Sequence, residues 1–98
     1  MIIMHKTIKK NDLKQRVAKL LKESGIKKAG IFGSFARGKE KKSSDIDILV
    51  EFDGSLLEFV KLERELNEKL GRKVDLVTYN GINPLLKEKI LDEEVRIL

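Results

Sequence analysis

The segment from Asp45 to Phe52 is the part of this sequence that most constrains the fold. It begins by alternating aspartate with isoleucine and then runs through three consecutive apolar residues. A period of two, together with β-branched residues, is typical of a β-strand with two different faces. One face of the predicted strand therefore carries Asp45 and Asp47, whereas Ile46 and Ile48 point the other way, into a core.

Helical and strand patterns alternate along the rest of the chain. The predicted elements, in order, are a helix capped by Asn11 and stopped by Gly25, a strand over 29–32, a short helix over 34–37, the strand over 45–52, a helix capped by Ser55 and stopped by Gly71, a strand over 73–79, a helix opened by Asn83 and Pro84, and a strand over 95–98. Strands alternating with helices predict an α/β fold in which helices cover a sheet. Its length of 98 residues fits one domain over residues 1–98.

Two helices carry apolar stripes that should face this sheet. The predicted stripes are Leu13, Val17, Leu20 and Leu21 in the first helix, and Leu56, Phe59, Val60, Leu66 and Leu70 in the helix after Ser55. Glu58 lies three residues after Ser55, which is the spacing of a capping box.

Composition excludes several classes of protein. The chain has no cysteine, which rules out disulfides, thiolate metal sites and a cysteine nucleophile. No apolar run approaches the length of a membrane span, so we expect no membrane association and a cytoplasmic location. The net charge of +5 is compatible with attraction to nucleotides or nucleic acid. Because the lysines are spread over the whole chain, a solvated basic surface explains that charge more simply, and direct nucleic-acid binding is not expected.

A third acidic residue, Asp75, lies in the next predicted strand between Val74 and Leu76, which should face the core. Asp75 can therefore share the face that carries Asp45 and Asp47. Three carboxylates on neighbouring strands repel one another, and a divalent cation removes that repulsion. Mg²⁺ prefers such oxygen ligands, and two ions can act together in phosphate chemistry. Taken separately, each acid could equally cap a turn or face solvent.

The turn at Gly33 and Ser34 follows a short apolar strand and precedes the short helix. Glycine permits a close backbone approach to a ligand, and the amides and hydroxyl that follow can bind an anion. Arg37, one helical turn later, can reach a phosphate. In isolation, Gly-Ser is a common turn and Arg37 is explained by solvation alone. The combination of Gly33-Ser34, ten further residues and Asp45-Ile46-Asp47 is much more specific.

The sequence from Gly33 to Gly38, followed by that from Ser44 to Val50, resembles the minimal nucleotidyltransferase (MNT) domains of the DNA polymerase β-like superfamily. The resemblance covers nearly the whole chain. It implies a small mixed sheet of about four strands with helices packed on one face. It also implies that Gly33, Ser34 and Arg37 bind the nucleoside triphosphate, and that Asp45, Asp47 and Asp75 are the catalytic residues that hold Mg²⁺.

Small MNT proteins are typically antitoxins that transfer AMP from ATP to a tyrosine of a partner HEPN-domain toxin. The resemblance therefore implies ATP as substrate, Mg²⁺ as cofactor (two ions) and a HEPN toxin as partner. Two alternatives remain. The domain could inhibit its partner by binding alone, or it could transfer a nucleotide to RNA or a small molecule. Because the chain is short, we expect a partner to supply the acceptor.

Three further residues have weaker claims to a function. Tyr79 and Asn80 follow the third predicted strand and could line a nucleotide pocket, although a turn is the simpler interpretation. His5 is interpreted as a surface residue.

Overall fold

The computed structural model describes residues 10–38 and 45–98. His5 and the predicted loop over residues 39–44 lie outside these ranges. The elements are α1 (Lys10–Glu23), β1 (Ala29–Phe32), α2 (Gly33–Ala36), β2 (Ile46–Val50), α3 (Leu56–Leu70), β3 (Val74–Thr78), a 3₁₀ turn (Tyr79–Gly81), α4 (Lys87–Glu93) and β4 (Val95–Arg96). Each predicted helix and strand is present; β1 has the predicted bounds, and the other three strands are shorter than expected.

The four strands form one mixed sheet in the order β3-β2-β1-β4. β1 is antiparallel to both β2 and β4, whereas β2 and β3 are parallel and are connected through α3. The small mixed sheet predicted from the sequence is therefore confirmed. In this arrangement, the last residue of β1 and the first residues of β2 and β3 lie at the same end of the sheet.

The core lies between one face of the sheet and the helices α1 and α3. Ile46, Ile48 and Val50 are fully buried on this face, as their alternation predicts. The helices contribute Leu13, Val17 and Leu21 from α1 and Leu62, Leu66 and Leu70 from α3. The predicted stripe of α1 is thus confirmed, with Leu20 partly buried at its margin.

The predicted stripe of α3 was partly wrong. Leu56 and Val60 are 79% and 44% exposed, whereas Leu62, absent from the prediction, is buried. An α-helix turns by about 100° per residue, so Leu62, Leu66 and Leu70 follow one line along the helix. Val60 lies about 200° from Leu62 on this helix and faces away from the sheet.

The predicted N-terminal cap is correct for α3 but not for α1 or α4. Ser55 and Glu58 form the predicted capping box, and Gly71 ends α3 with φ +66°. The predicted N-caps Asn11 and Asn83 were wrong. Asn11 lies inside α1, and α4 begins only at Lys87.

Asn83 instead forms a tight turn. Its side-chain Oδ1 accepts from the Leu85 N–H and its carbonyl accepts from the Leu86 N–H, both at 2.9 Å. The side chain therefore stabilises a turn ahead of α4 rather than the first turn of the helix itself.

The outer edge of β3 is covered by side chains of α3. Asn67 Oδ1 accepts from the backbone N–H of Val74, and Glu63 Oε2 accepts from that of Leu76 at 2.9 Å. These two donors point away from β2, because the strand alternates its hydrogen bonds between its two sides. The helix therefore satisfies part of an edge that would otherwise remain unpaired.

α4 differs from α1 and α3 in its position. It contacts α2 and β1, and within the described range 45–98 it contributes no buried side chain. None of the helices in residues 10–38 and 45–98 is long and apolar enough to cross a membrane.

Candidate functional site

Asp45 and Asp47 lie at the beginning of β2. Asp47 is half-buried within the strand, whereas Asp45 precedes it and is exposed. Asp45 Oδ2 lies 3.7 Å from Lys73 Nζ, an ion pair at the solvent boundary. Leu49, two residues after Asp47 on the same face, is fully buried. The face that carries the acids therefore has an apolar surrounding, which partly removes Asp47 from water.

Asp75 lies directly opposite Asp47. The parallel register of β2 and β3 pairs Asp47 with Asp75, and it pairs the core residue Ile46 with Val74. Because side chains alternate between the faces of a sheet, Asp47 and Asp75 point to the same side, on strands about 4.8 Å apart. The sequence-based expectation that these acids share one face is therefore confirmed.

The electrostatics of Asp47 reflect this crowding. Burial raises the pKa of Asp47 above its ordinary 3.8, and the nearby carboxylates of Asp75 and Asp45 raise it further. The positive charge of Arg37 acts in the opposite direction. Desolvation and neighbouring negative charge disfavour the ionised carboxylate, whereas a neighbouring positive charge favours it. Asp47 is thus an ionisable group whose negative charge the protein alone does not fully compensate.

These acids suit a divalent cation, although they do not enclose one. Within residues 10–38 and 45–98, no three acidic or histidine side chains are close enough together to form a ready-made metal cage. Mg²⁺ usually binds one or two carboxylates and takes its remaining ligands from phosphate and water. Asp47 and Asp75 fit that pattern, because they supply adjacent oxygen donors whose mutual repulsion a cation would relieve.

The Gly33–Ser34 bend lies directly against Asp47. Phe32, the last residue of β1, pairs with Asp47 across the antiparallel ladder, and Gly33 then turns with φ +76°. A Cβ atom at position 33 would overlap Oδ2 of Asp47. Glycine is therefore required here both by its left-handed backbone and by the carboxylate beside it. The bend and the acids form one site.

Arg37 follows at the end of α2. Its backbone N–H donates to the Gly33 carbonyl at 3.1 Å, which closes the short helix over the bend. Its guanidinium Nη1 donates to both carboxylate oxygens of Glu93, each at 3.0 Å. The predicted phosphate-binding arginine thus lies beside the acids and is held by an acid from the end of α4. Sequence reasoning did not find Glu93, because nothing near Arg37 in the chain signals this contact.

Tyr79 belongs to a second cluster. Its hydroxyl donates to Glu94 Oε2, and Lys28 Nζ lies 4.5 Å above its ring centroid. Burial and the Glu94 carboxylate raise the pKa of Tyr79 above its ordinary value. Gly30 leaves room for this carboxylate, since a Cβ atom there would overlap the Glu94 side chain. Tyr79 begins a 3₁₀ turn, so the simpler of the two sequence interpretations, a turn, is the one observed.

The family follows from comparison with known proteins. Residues 10–97 match the model of the nucleotidyltransferase domain family. The chain belongs to the nucleotidyltransferase domain family. The enzyme class predicted from the Gly-Ser and Asp-x-Asp motifs is thereby confirmed, and the matched region contains each of the six predicted site residues.

Two relatives of this nucleotidyltransferase domain cover most of its length. A proposed protein adenylyltransferase from Methanocaldococcus jannaschii is 53% identical over 90 residues, which span 90% of this chain and 97% of the relative. The protein adenylyltransferase MntA from Thermococcus cleftensis is 38% identical over 93 residues, which span 93% of this chain and 87% of the relative. The similarity therefore includes the complete region that carries the candidate site.

A solved structure shares the fold of this nucleotidyltransferase domain. It contains a tri-AMPylated HEPN toxin from Shewanella oneidensis in complex with its MNT antitoxin. The matched chain superposes with a TM-score of 0.73 at 20% identity, over 92% of this chain and 72% of that one. This likeness confirms the minimal nucleotidyltransferase fold that the sequence motif implied.

Proposed function

We propose that this nucleotidyltransferase transfers AMP from ATP, with Mg²⁺, to a tyrosine hydroxyl of a HEPN-domain toxin and thereby acts as its antitoxin. The observation that carries the proposal is the contact of the Gly33 bend with Asp47, opposite Asp75. That arrangement combines a place for a polyphosphate with a pair of cation-binding carboxylates. The cytoplasmic location expected from the sequence is part of the same proposal.

The acids and the bend have different roles in this reaction. Gly33 and Ser34 bind the triphosphate through the backbone and the serine hydroxyl. Asp45, Asp47 and Asp75 would hold Mg²⁺, which would neutralise phosphate charge when bound. Arg37 binds a phosphate oxygen. The acceptor oxygen forms a bond to the α-phosphorus while the bond from that phosphorus to pyrophosphate breaks, and in this proposal Asp75 takes the hydroxyl proton.

The choice of a protein acceptor is supported by the relatives. Two proteins that match over most of this chain are named protein adenylyltransferases, one of them only as a proposed activity. The MNT antitoxin of the solved complex is bound to a HEPN toxin that carries AMP. The partner proposed for this chain is therefore a HEPN toxin, encoded beside it.

The proposal is tested with α-labelled ATP, Mg²⁺ and the product of the neighbouring toxin gene. We expect label on the toxin, loss of labelling with a chelator, and a loss of about 10²-fold or more in Asp75→Asn, the scale of a missing general base. Asp53→Asn, an exposed acid in a loop, is the matched control and should retain full activity.

Two other outcomes would favour the alternatives. If Asp45→Asn combined with Asp47→Asn still neutralised the toxin fully, the protein would act by binding and not by catalysis. If label appeared on RNA or a small molecule and never on the toxin, the acceptor would be wrong.

A further inference from the structure

Arg37 and Glu93 form an ion pair between two segments that are far apart in the chain. Arg37 ends α2, next to the Gly33 bend, and Glu93 is the last residue of α4. Nη1 of Arg37 lies 3.0 Å from each oxygen of the Glu93 carboxylate. The Glu93 side chain is 18% exposed, against 42% for Arg37, so the acid is the better-packed member of the pair.

The segment that carries Glu93 is fixed on its C-terminal side. The next residue, Glu94, accepts from the Tyr79 hydroxyl and lies over Gly30. Val95 then enters β4 and pairs with Ile31 of β1. Because Glu94 and Val95 are both held by the sheet, the Glu93 carboxylate is presented from a rigid position rather than from a free helix end.

The pair leaves much of the guanidinium available for a ligand. A guanidinium has five N–H donors arranged as a planar fork, and such forks bind carboxylates and phosphates through two parallel hydrogen bonds. In the described structure, the bonds to Glu93 use only Nη1. The edge formed by Nε and Nη2 can therefore donate to a phosphate while Nη1 stays bonded to Glu93.

We propose that Glu93 is a positioning residue, which holds the Arg37 guanidinium in place for the triphosphate and so couples α4 to the nucleotide site. This inference rests on the proposed function, because it assumes that Arg37 binds a phosphate. Without Glu93, the long arginine side chain would have to be ordered by the nucleotide itself, at a cost in affinity.

The test compares Glu93→Gln with Glu88→Gln in the full-length protein. Both changes remove one negative charge from α4, but Glu88 is exposed in the first turn of the helix. The measurements are the Kd for ATP with Mg²⁺ by calorimetry without toxin, the KM and kcat of AMP transfer, and the Tm.

We expect Glu93→Gln to raise both Kd and KM by roughly two- to five-fold, the scale of a partly exposed ion pair, with little change in kcat. Glu88→Gln should leave all of these values unchanged. In an Arg37→Gln background, adding Glu93→Gln should have no further effect on Kd, since the residue that it positions is absent.

Three results would overturn the inference. An unchanged Kd with a lowered Tm would make the pair a structural link only. A lower Kd would mean that Glu93 competes with phosphate for Arg37. An equal increase in Kd with and without Arg37 would mean that Glu93 acts by another route. A wild-type protein that binds ATP but transfers no AMP would instead overturn the proposed function, while the Kd comparison would still decide the role of Glu93.

Discussion

Gly33 touches the carboxylate of Asp47, although the two residues lie on different elements and 14 positions apart in the sequence. The contact arises because β1 and β2 are antiparallel and Phe32 pairs with Asp47, so the residue after Phe32 turns across the carboxylate. One consequence is that position 33 accommodates no side chain unless the Asp47 carboxylate moves. The position of the bend and the position of the acid cannot be changed independently.

Replacing Gly33 by alanine should therefore harm both folding and activity. The left-handed backbone at φ +76° alone costs an alanine about 1–2 kcal/mol, and the overlap with Asp47 adds to it. If the acid moves by about 1 Å, AMP transfer should fall by about 10²-fold. Labelled transfer assays and denaturant unfolding measure the two effects.

Gly25→Ala is the matched control for this change. Gly25 also has a positive φ, of +87°, but a Cβ atom there meets nothing within 4 Å. This variant should lose stability and keep its activity. Equal losses of activity in the two variants would show that the contact with Asp47 is irrelevant to the reaction.

Removing the charge of Asp47 should stabilise the protein at neutral pH when no divalent cation is present. A carboxyl group with a raised pKa binds its proton more tightly in the folded state. Its stabilising contribution is complete below 3.8, the unfolded value, and is lost as the pH rises through the folded pKa. Asp47→Asn avoids that loss, because asparagine does not ionise. We expect its free energy of unfolding at neutral pH to be higher by about 0.5 kcal/mol, the scale of cross-strand charge pairs.

The measurement is the free energy of unfolding as a function of pH, between about pH 4 and pH 8. The gain should be largest at high pH and should shrink towards pH 4. Asp12→Asn, an exposed acid of α1, serves as the control. A destabilised Asp47→Asn at neutral pH would contradict the expectation.

Tyr79 provides a direct spectroscopic report on Glu94. It is the only tyrosine in a chain without tryptophan, so its phenolate absorbance is unobscured. Because its pKa is raised above 10.0, its stabilising contribution is complete below that pH and is lost as the phenol ionises at higher pH. Glu94→Gln should lower the pKa towards 10.0, whereas Glu93→Gln should leave it in place. Identical titrations of wild type and Glu94→Gln would rule out the bond between Tyr79 and Glu94.

Two leucine substitutions in α3 test the corrected core. Leu62→Ala should cost about 2–5 kcal/mol of stability, because it leaves a cavity in a packed core. Leu56→Ala, on the same helix but 79% exposed, should change stability by no more than about 0.5 kcal/mol. Chemical denaturation of both variants compares them directly. A similar loss of stability in the two variants would contradict the assignment of Leu56 to the surface.

The sequence predicted those parts of the fold that local patterns determine. The alternation around Asp47 predicted that this acid lies on the face of β2 opposite the core, and Ser55 with Glu58 predicted the start of α3, because strand faces and capping boxes depend on residues close in the chain. For Asp75, neighbouring core residues gave the correct face before the pairing of β2 with β3 was known. The motif around Gly33 predicted a bend close to these acids, and in the structure Gly33 lies against Asp47.

What the sequence did not predict depends on how distant segments pack. The partner of Arg37 is Glu93, 56 residues away, and it is in reach only because α4 packs against α2 and β1. The bond between Tyr79 and Glu94 has the same origin. Val60 was predicted to be in the core because it follows Leu56 by four residues in an apolar stripe, but the orientation of the helix against the sheet turns it outward. Such contacts have no local signal in the chain.

The hydrogen bonds of Asn67 and Glu63 to the backbone of β3 bear on how a toxin can bind. A partner that recruits a protein by extending its sheet needs vacant amide donors on an outer strand. On β3, two of these donors are already engaged, so a toxin strand added there would have to displace the side chains of α3 first. Under the proposed function, recognition on this flank would therefore proceed through side-chain surfaces, and the acceptor tyrosine would approach Asp75 from the face of the sheet that carries the acids.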